Sequence, residues 1–433
     1  MPKQGYKWVD TPGGKARVPS GYLPDPENET IIGNEPDANG WIRPNGWLPL
    51  DDINPGDHRA EMLVAVFDNV PETYLGFRVG GTGTFTVDWG DGVITSGGAG
   101  TTFTHSYTPS TVSASTLTER GYRQAKLILT TTGTLTQIDC DVSGLNKGYT
   151  LSNPLLDLHI GAPTLSRLQP GDTTATNYHA SRMLEHVKVY STSSSCELIF
   201  EQCTAFRSLE TAGQRIPVSS VNFESCLALD TILDIFDFSN CTSLSSSFSD
   251  CYRLQTVGID TSTFSGSMGL MFRNCLNLRN GPEMDTSLVT NMYSMFNGCA
   301  LLESVPLYDI SSVALNATSL DEMFASCNSL RYVPAFNFAG RDVEDLFGSV
   351  TSHGNVNYVQ TRSLEWFDPT GMDSSNVDLS HKRLSREAIV HVFNNLGTPA
   401  TTKTIWVNGN PGAAALTSDD LLIATSKNWI AVN

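Results

Sequence analysis

One pattern constrains the fold of this 433-residue chain more than any other: Phe-x-x-Cys recurs six times between residues 200 and 327. The pairs are Phe200/Cys203, Phe223/Cys226, Phe248/Cys251, Phe272/Cys275, Phe296/Cys299 and Phe324/Cys327. Successive cysteines are 23, 25, 24, 24 and 28 residues apart. A period in this range is typical of solenoids, in which each unit is too small to bury its apolar side alone and stacked units share one core.

Other positions of the unit recur at fixed distances from the cysteine. Leucine follows it by three residues at Leu229, Leu254, Leu278, Leu302 and Leu330. Asp-x-Ser follows it by nine to eleven residues at Asp237/Ser239, Asp260/Ser262, Asp285/Ser287 and Asp309/Ser311. Phe347 with Val350 is interpreted as a seventh, degenerate copy without its cysteine. We therefore predict a solenoid over residues 196–380, with the Phe and Cys side chains as internal ladders.

Within one unit, the spacing of apolar residues predicts a short helix followed by a strand. In the segment 289–299, apolar side chains recur at helical spacing. The segment 301–307 is typical of a short strand ended by a proline. Asp285 and Ser287 stand just upstream, where short side chains with oxygen atoms can cap free amide groups.

The nine cysteines allow three interpretations. Their number is odd, no Cys-x-x-Cys pair occurs, and six of them follow the repeat. Since a free cysteine behaves as a small apolar side chain, buried packing is favoured. Metal binding and disulfides between neighbouring coils remain alternatives.

The unit consensus Met-Phe-x-x-Cys-x-x-Leu-x-x-x-Pro…Asp-x-Ser, seen at 271–282 and 295–311, resembles BspA-like leucine-rich repeats. Such repeats are found in bacterial surface adhesins, protist surface proteins and phage structural proteins. The resemblance implies a leucine-rich-repeat solenoid but identifies no ligand. Residues 381–433 are predicted to form an α/β cap, with Ser385 as the N-cap of one helix and a second helix beginning near Thr417. This block is similar to segments that close related repeats in phage and bacterial proteins.

Residues 61–142 alternate apolar and polar side chains in short segments separated by Gly-rich turns, which predicts a small antiparallel β-sandwich. Within it, Val87-Asp88-Trp89-Gly90-Asp91-Gly92 is followed by His105-Ser106-Tyr107. These residues resemble the Trp-Gly-Asp-Gly…His-x-Tyr signature of PKD-like, immunoglobulin-type sandwiches. We assign His105 a structural role and the two aspartates to a turn, with calcium binding as the alternative for the aspartates.

The remaining segments complete a multidomain, mainly β chain with short helices. Residues 1–60 are rich in Pro and Gly and are predicted to form an extended arm. The arm either folds against its own chain or packs on a neighbouring subunit. Residues 143–195 are interpreted as a transition and the start of the solenoid.

Composition excludes several function classes. The net charge of −18, with no Lys/Arg run, disfavours nucleic acids and anionic lipid surfaces. No apolar stretch approaches the roughly 20 residues that span a bilayer, so membrane insertion is not expected. The chain has no Gly-x-Ser-x-Gly, P-loop or His-Glu-x-x-His motif, so we predict neither catalysis nor a cofactor or metal.

These observations predict a non-enzymatic virion protein of a tailed phage, as a tail-fibre, baseplate, collar or capsid-fibre component. The segment 43–50 resembles segments that precede such sandwiches in phage virion proteins, and the N-terminus lacks the apolar core of a secretory signal, which predicts assembly in a host cytoplasm. Residues 1–60 would dock on other virion proteins, and the particle component is expected to be a homo-oligomer. The solenoid would bind a host-surface glycan or protein, with Tyr308, Tyr332 and Phe336 as candidate contacts.

Two other classes remain open. The first is a bacterial cell-surface BspA-like adhesin, which has the same repeats but requires export and anchoring. The second is a glycan-active enzyme with a β-rich binding region, because a pair of catalytic carboxylates can be hidden in an acidic chain.

Overall fold

The computed structural model describes residues 6–11, 14–19, 36–140, 153–172, 180–191, 195–316, 318–348 and 361–433. The described chain is mainly β, with two α-helices near its C-terminus. The first strands are β1 (Tyr6–Thr11), β2 (Gly14–Pro19), β3 (Arg59–Phe67), β4 (Thr73–Gly81), β5 (Phe85–Asp88), β6 (Ile94–Gly97), β7 (Thr102–Tyr107), β8 (Tyr122–Thr131) and β9 (Leu135–Asp139). Short 3-10 helices lie at Pro109–Thr111, Ala114–Thr116 and Ala413–Ala415.

Many of the later strands have only two to four residues, because most coils of the solenoid contribute few paired residues. They are β10 (Leu155–Gly161), β11 (Arg167–Gln169), β12 (His186–Ser191), β13 (Cys196–Ile199), β14 (Ser208–Thr211), β15 (Ile216–Asn222), β16 (Thr231–Ile232), β17 (Phe236–Asp237), β18 (Thr256–Val257), β19 (Gly266–Ser267), β20 (Val289–Asn291), β21 (Tyr332–Asn337), β22 (Trp366–Thr370), β23 (Val377–Asp378), β24 (Lys403–Trp406) and β25 (Trp429–Val432). The helices are α1 (Arg386–Asn395) and α2 (Ser418–Ser426).

Strands β3 to β9 form two antiparallel layers around a shared core. One layer has the order β3-β8-β5-β6, and the other has the order β9-β4-β7. The turn between β5 and β6 is held from inside: Asp91 Oδ2 lies 2.8 Å from His105 Nε2, and the Tyr107 hydroxyl donates to the Trp89 carbonyl at 2.9 Å. Asp88 Oδ1 accepts a hydrogen bond from the Gly90 amide at 3.0 Å. The carboxylates of both aspartates therefore stabilise a turn, and His105 positions it.

Both layers continue directly into the solenoid. Strands β10, β12 and β14 extend the first layer from the edge of β3, and β11, β13, β15 and β17 extend the second from the edge of β9. Strand β10 is antiparallel to β3, whereas the later strands of each layer run parallel to their neighbours. One buried apolar cluster runs from Ala60 to Trp429. A single core thus extends across the predicted boundaries at 142 and 195. The antiparallel layers cover the first coil of the solenoid.

The predicted helix within each unit is wrong. Residues 293–298 form turns, and Ser294 has a left-handed φ of 49°. The amides of Met292 and Ser294 donate to carbonyls of the next coil at 2.9 and 2.8 Å, while that of Met295 donates three residues back. An α-helix needs every amide to bond four residues back. Here alternate amides bond to carbonyls of the next coil instead. The helix-like spacing of apolar residues in 289–299 therefore belongs to a coil made of turns.

The Phe-x-x-Cys pair is explained by one hydrogen-bonding pattern. The Cys275 thiol donates to the carbonyl of Phe248, the phenylalanine of the preceding coil, at 3.2 Å. The Cys226, Cys251, Cys299 and Cys327 thiols make the equivalent bond at 3.0–3.2 Å. All nine cysteines are buried and unbonded to one another. Burial raises the pKa of these thiols, that of Cys299 to about 12.

The phenyl rings form a second ladder beside the thiols. Neighbouring ring centroids from Phe200 to Phe347 are 5.0–6.1 Å apart with interplanar angles of 2–28°. Val350 lies outside the described residues. The position of the missing seventh cysteine is taken by Thr361, whose hydroxyl donates to the Phe324 carbonyl and accepts the Cys327 amide at 3.1 Å.

The C-terminal residues close the stack. Ser385 Oγ accepts the Ala388 amide at the start of α1, which confirms the predicted N-cap. Helix α2 begins with a capping box made by Thr417 and Asp420. Strands β23, β24 and β25 form a parallel sheet, and Trp429 fills the last core layer with 1% of its surface exposed.

The described part of the N-terminal arm folds against its own chain. Strands β1 and β2 pair as a hairpin. In the segment 36–58, Trp47 and Leu50 pack on Leu63, Ala65 and Tyr122 and cover the outer face of the first layer. Packing of residues 1–60 on another subunit stays a prediction.

Candidate binding groove

The residues first expected to contact a ligand do not share an accessible face. Tyr308 and Phe336 are 2% and 1% exposed, and their rings stack against each other within the phenyl ladder. The Tyr308 hydroxyl donates to the buried Pro282 carbonyl at 2.9 Å. Tyr332 is 43% exposed at the start of β21. Tyr308 lies outside the strands, and an irregularity in β21 between Val333 and Phe336 places Phe336 on the face opposite Tyr332. Two of the three candidates are therefore buried, and only Tyr332 can meet a partner.

A shallow groove of about 430 Å³ runs across five successive coils. The side chains and backbone that line it lie five to nine residues before the cysteine position of each coil. They are Ser245, Ser267, Gly269, Leu270, Asn291, Tyr293, Thr318, Asp321, Glu322 and Asp345. Because the coils stack in register, residues that are about 24 apart in sequence become neighbours along the groove.

The local backbone explains why this part of the coil is concave. The residue five before the cysteine is left-handed in four coils, at Ser246, Leu270, Ser294 and Glu322, with φ of 49–61°. Its amide donates to the carbonyl of the neighbouring coil, as Leu270 does to Tyr293 at 2.7 Å. At Gly269 a Cβ atom would lie 3.0 Å from Asn291 Oδ1. The missing side chain there keeps the groove open beside Tyr293.

Carboxylates dominate one end of the groove. Asp321, Glu322 and Asp345 line it, and none of the ten lining residues is basic. Glu322 Oε2 accepts hydrogen bonds from Ser294 Oγ and Asn297 Nδ2 at 3.1 and 3.0 Å, which fixes its position. Within the described residues, Asp345 Oδ1 is buried and has no hydrogen-bond partner.

This arrangement selects ligands by their hydrogen-bond donors. Ionised carboxylates only accept hydrogen bonds, and the hydroxyls and amide at the other end both donate and accept. Phosphate, sulfate or carboxylate groups would be repelled, while hydroxyl donors would form charge-assisted bonds with the acidic end. Tyr293, half-buried, offers a ring against which an apolar face can pack. The groove therefore suits a neutral chain rich in hydroxyl groups.

None of these lining residues was predicted from the sequence. The Phe, Cys and Leu positions that recur are buried, whereas the lining positions differ from coil to coil: the residue six before the cysteine is Ser245, Gly269, Tyr293 or Asp321. The sequence did contain a signal for these residues: a position of the repeat that changes between small, aromatic and acidic residues must be exposed, because a buried position does not tolerate such changes.

Comparison with known proteins locates the same coils. Residues 266–357, about a fifth of the chain, match a family described as Mycoplasma protein of unknown function, DUF285. None of the curated proteins matches the sequence. The match and the stacked coils fit a BspA-like repeat protein with a β-solenoid. Neither α1 nor α2, the α-helices of the described residues, has the length and apolar character required to cross a bilayer.

Proposed function

We propose that this chain is a non-enzymatic attachment protein that binds a neutral surface glycan through the groove at Tyr293. The observation that carries the proposal is a groove across five coils with three carboxylates and no basic residue among its ten lining residues. A solenoid offers an extended rigid surface, and repeat proteins commonly bind along such surfaces. The BspA-like character of the coils supports a role at a surface.

The particle or cell that carries the protein is a second part of the proposal. A virion component of a tailed phage, in the tail, collar, baseplate or capsid fibres, is favoured by the PKD-like signature and by the segment 43–50. A bacterial surface adhesin is the alternative, and the repeat family fits it equally well. Immunogold labelling of purified particles and of intact producing cells separates the two: label on particles supports the virion, and label on cells alone supports the adhesin.

Docking of the N-terminal residues on other virion proteins is tested better by deleting residues 1–35 than by deleting the whole arm. Deleting residues 1–58 would uncover Leu63, Tyr122 and Leu156, which the segment 36–58 covers. Deleting residues 1–35 leaves that cover in place. We expect the 1–35 deletion to fold and to lose incorporation into particles, and normal incorporation would refute docking through these residues.

Glycan binding is tested with the full chain, because the core crosses every boundary at which a fragment could be cut. Binding of wild-type protein to an array of neutral and anionic glycans is compared with that of Tyr293→Ala and Glu322→Gln. Tyr252→Ala is the matched control, since it removes a tyrosine that is 42% exposed on the same solenoid outside the groove. We expect neutral glycans to bind, and the groove variants to bind about tenfold more weakly, which corresponds to the loss of roughly 1.4 kcal/mol. Preference for anionic glycans, or equal loss in the control, would refute the proposal.

A further inference from the structure

A cluster of two histidines and an aspartate lies on the outer face of the first layer, far from the repeat motif. Asp157 and His159 belong to β10, and His186 belongs to the adjacent β12. Residues two apart on a strand point to the same face, and Asp157 is paired in register with His186. The three side chains thus converge by strand geometry. They are 0–6% exposed because the segment 36–58 covers them.

The ligand atoms of the three side chains face one another. Asp157 Oδ1 lies 2.7 Å from His186 Nδ1 and 3.8 Å from His159 Nε2, and all three atoms are within 4.8 Å of each other. Bonds of about 2.0–2.2 Å to a tetrahedral zinc ion place neighbouring ligand atoms roughly 3.3 Å apart. The two distances from Asp157 Oδ1 bracket that value.

The far nitrogen of each ring faces an oxygen atom, and that of His159 is hydrogen-bonded to it. His159 Nδ1 lies 3.0 Å from the carbonyl of Asp51, and His186 Nε2 lies 3.5 Å from Glu210 Oε2. Histidines that bind metals almost always donate their outer N–H to a carboxylate or carbonyl, which fixes the tautomer and aims the other nitrogen at the ion. His159 has this arrangement, whereas His186 Nε2 faces Glu210 without forming a hydrogen bond among the described residues.

The position of His159 is hard to explain by hydrogen bonding alone. A carbonyl oxygen can only accept, so His159 Nδ1 donates to Asp51. In a neutral ring, Nε2 then carries a lone pair that faces a carboxylate oxygen at 3.8 Å. Two acceptors that face each other repel, and a cation between them would remove the repulsion.

We propose that Asp157, His159 and His186 bind one divalent late first-row transition ion, with zinc as the best-suited ion. Two imidazoles and one carboxylate are ligands that zinc accepts, and three protein ligands leave a fourth position for water. Arg43 pairs with the other oxygen of Asp157, so the carboxylate binds through Oδ1 alone. Trp41 stacks on His186 with ring centroids 4.4 Å apart and covers the site. The ion would fix the N-terminal segment onto the first coils.

The test uses the full chain with any purification tag removed, stripped of metal by a chelator and titrated with Zn²⁺ or Co²⁺. Isothermal titration gives the stoichiometry, and the visible absorption of Co²⁺ reports nitrogen and oxygen ligands as distinct from thiolates. His159→Gln removes one ligand and leaves the Asp157 and Arg43 pair intact. His391→Gln is the matched control, because His391 Nε2 contacts Asp368 at 2.6 Å without a second histidine.

We expect one equivalent of metal per chain in wild type and in His391→Gln, with binding at least tenfold weaker in His159→Gln. The melting temperature of wild type should rise with Zn²⁺ and not with Mg²⁺, which keeps the test valid if His159→Gln folds poorly. Absence of a stoichiometric site in wild type, thiolate absorption of Co²⁺, or unchanged binding in His159→Gln would overturn the proposal.

Discussion

Truncation of a single ring in the phenyl ladder tests the packing of the solenoid most severely. The Phe272 ring is fully buried and lies 5.7 Å from Phe248 and 5.6 Å from Phe296, with interplanar angles of 8° and 14°. Replacing a core phenylalanine with alanine costs about 3–5 kcal/mol, and each stacked pair contributes about 0.5–1.5 kcal/mol. Because Phe272→Ala removes two stacked pairs, we expect the upper part of that range, about 4–5 kcal/mol.

Urea unfolding followed by far-UV circular dichroism measures this loss. Phe272→Leu, which keeps most of the volume without stacking, should cost about 1–2 kcal/mol. Tyr252→Ala removes a ring that is 42% exposed on the same solenoid, and it should change the free energy of unfolding by no more than about 0.5 kcal/mol. A loss below about 1 kcal/mol in Phe272→Ala, or an equal loss in Tyr252→Ala, would refute the ladder.

Two further predictions concern single polar groups. Thr361→Val keeps the shape but leaves the Cys327 amide without its acceptor, so thermal or urea unfolding should show a loss of about 1–3 kcal/mol. Thr361→Ser should restore most of it, and equal stability of the Val and Ser variants would contradict this role. Hydrogen bonds from Ser262, together with Arg215, lower the pKa of Asp260 to about 2. Its contribution to stability is therefore present above the unfolded pKa of about 3.9 and lost as the pH falls through about 2. A carboxyl titration by NMR with a midpoint near the unfolded value would contradict it.

The repeat itself was enough to predict the stacked coils. Spacing alone indicated which side chains are internal, and Phe272 and Cys275 are both fully buried. The Asp-x-Ser motif also had a local explanation that the structure confirms, since Asp285 Oδ1 accepts the Ser287 amide at 2.9 Å. Both inferences depend on residues close in sequence or repeated many times, which is why they could be made without coordinates.

Features that depend on contacts between coils could not be predicted. The helical period at 289–299 was misleading because amides bond to the next coil, which no pattern within one unit reveals. Thr361 takes the place of the seventh cysteine, but it follows the segment 349–360. It therefore lies outside the interval of 23 to 28 residues that separates the cysteines, and the repeat did not predict it. The convergence of His159 and His186 required the pairing of β10 with β12, and their separation of 27 residues matches no common metal-binding motif.

The most direct test of the continuous core is a count of reactive thiols. All nine cysteines are buried and free, and burial raises the pKa of the repeat thiols, so the reactive thiolate is scarce as well as inaccessible. Native protein mixed with a thiol-specific chromogenic disulfide should show almost no reaction over minutes, and the same protein in denaturant without reductant should show nine thiols. Rapid labelling of several thiols in the native state, or fewer than nine in denaturant, would contradict the account.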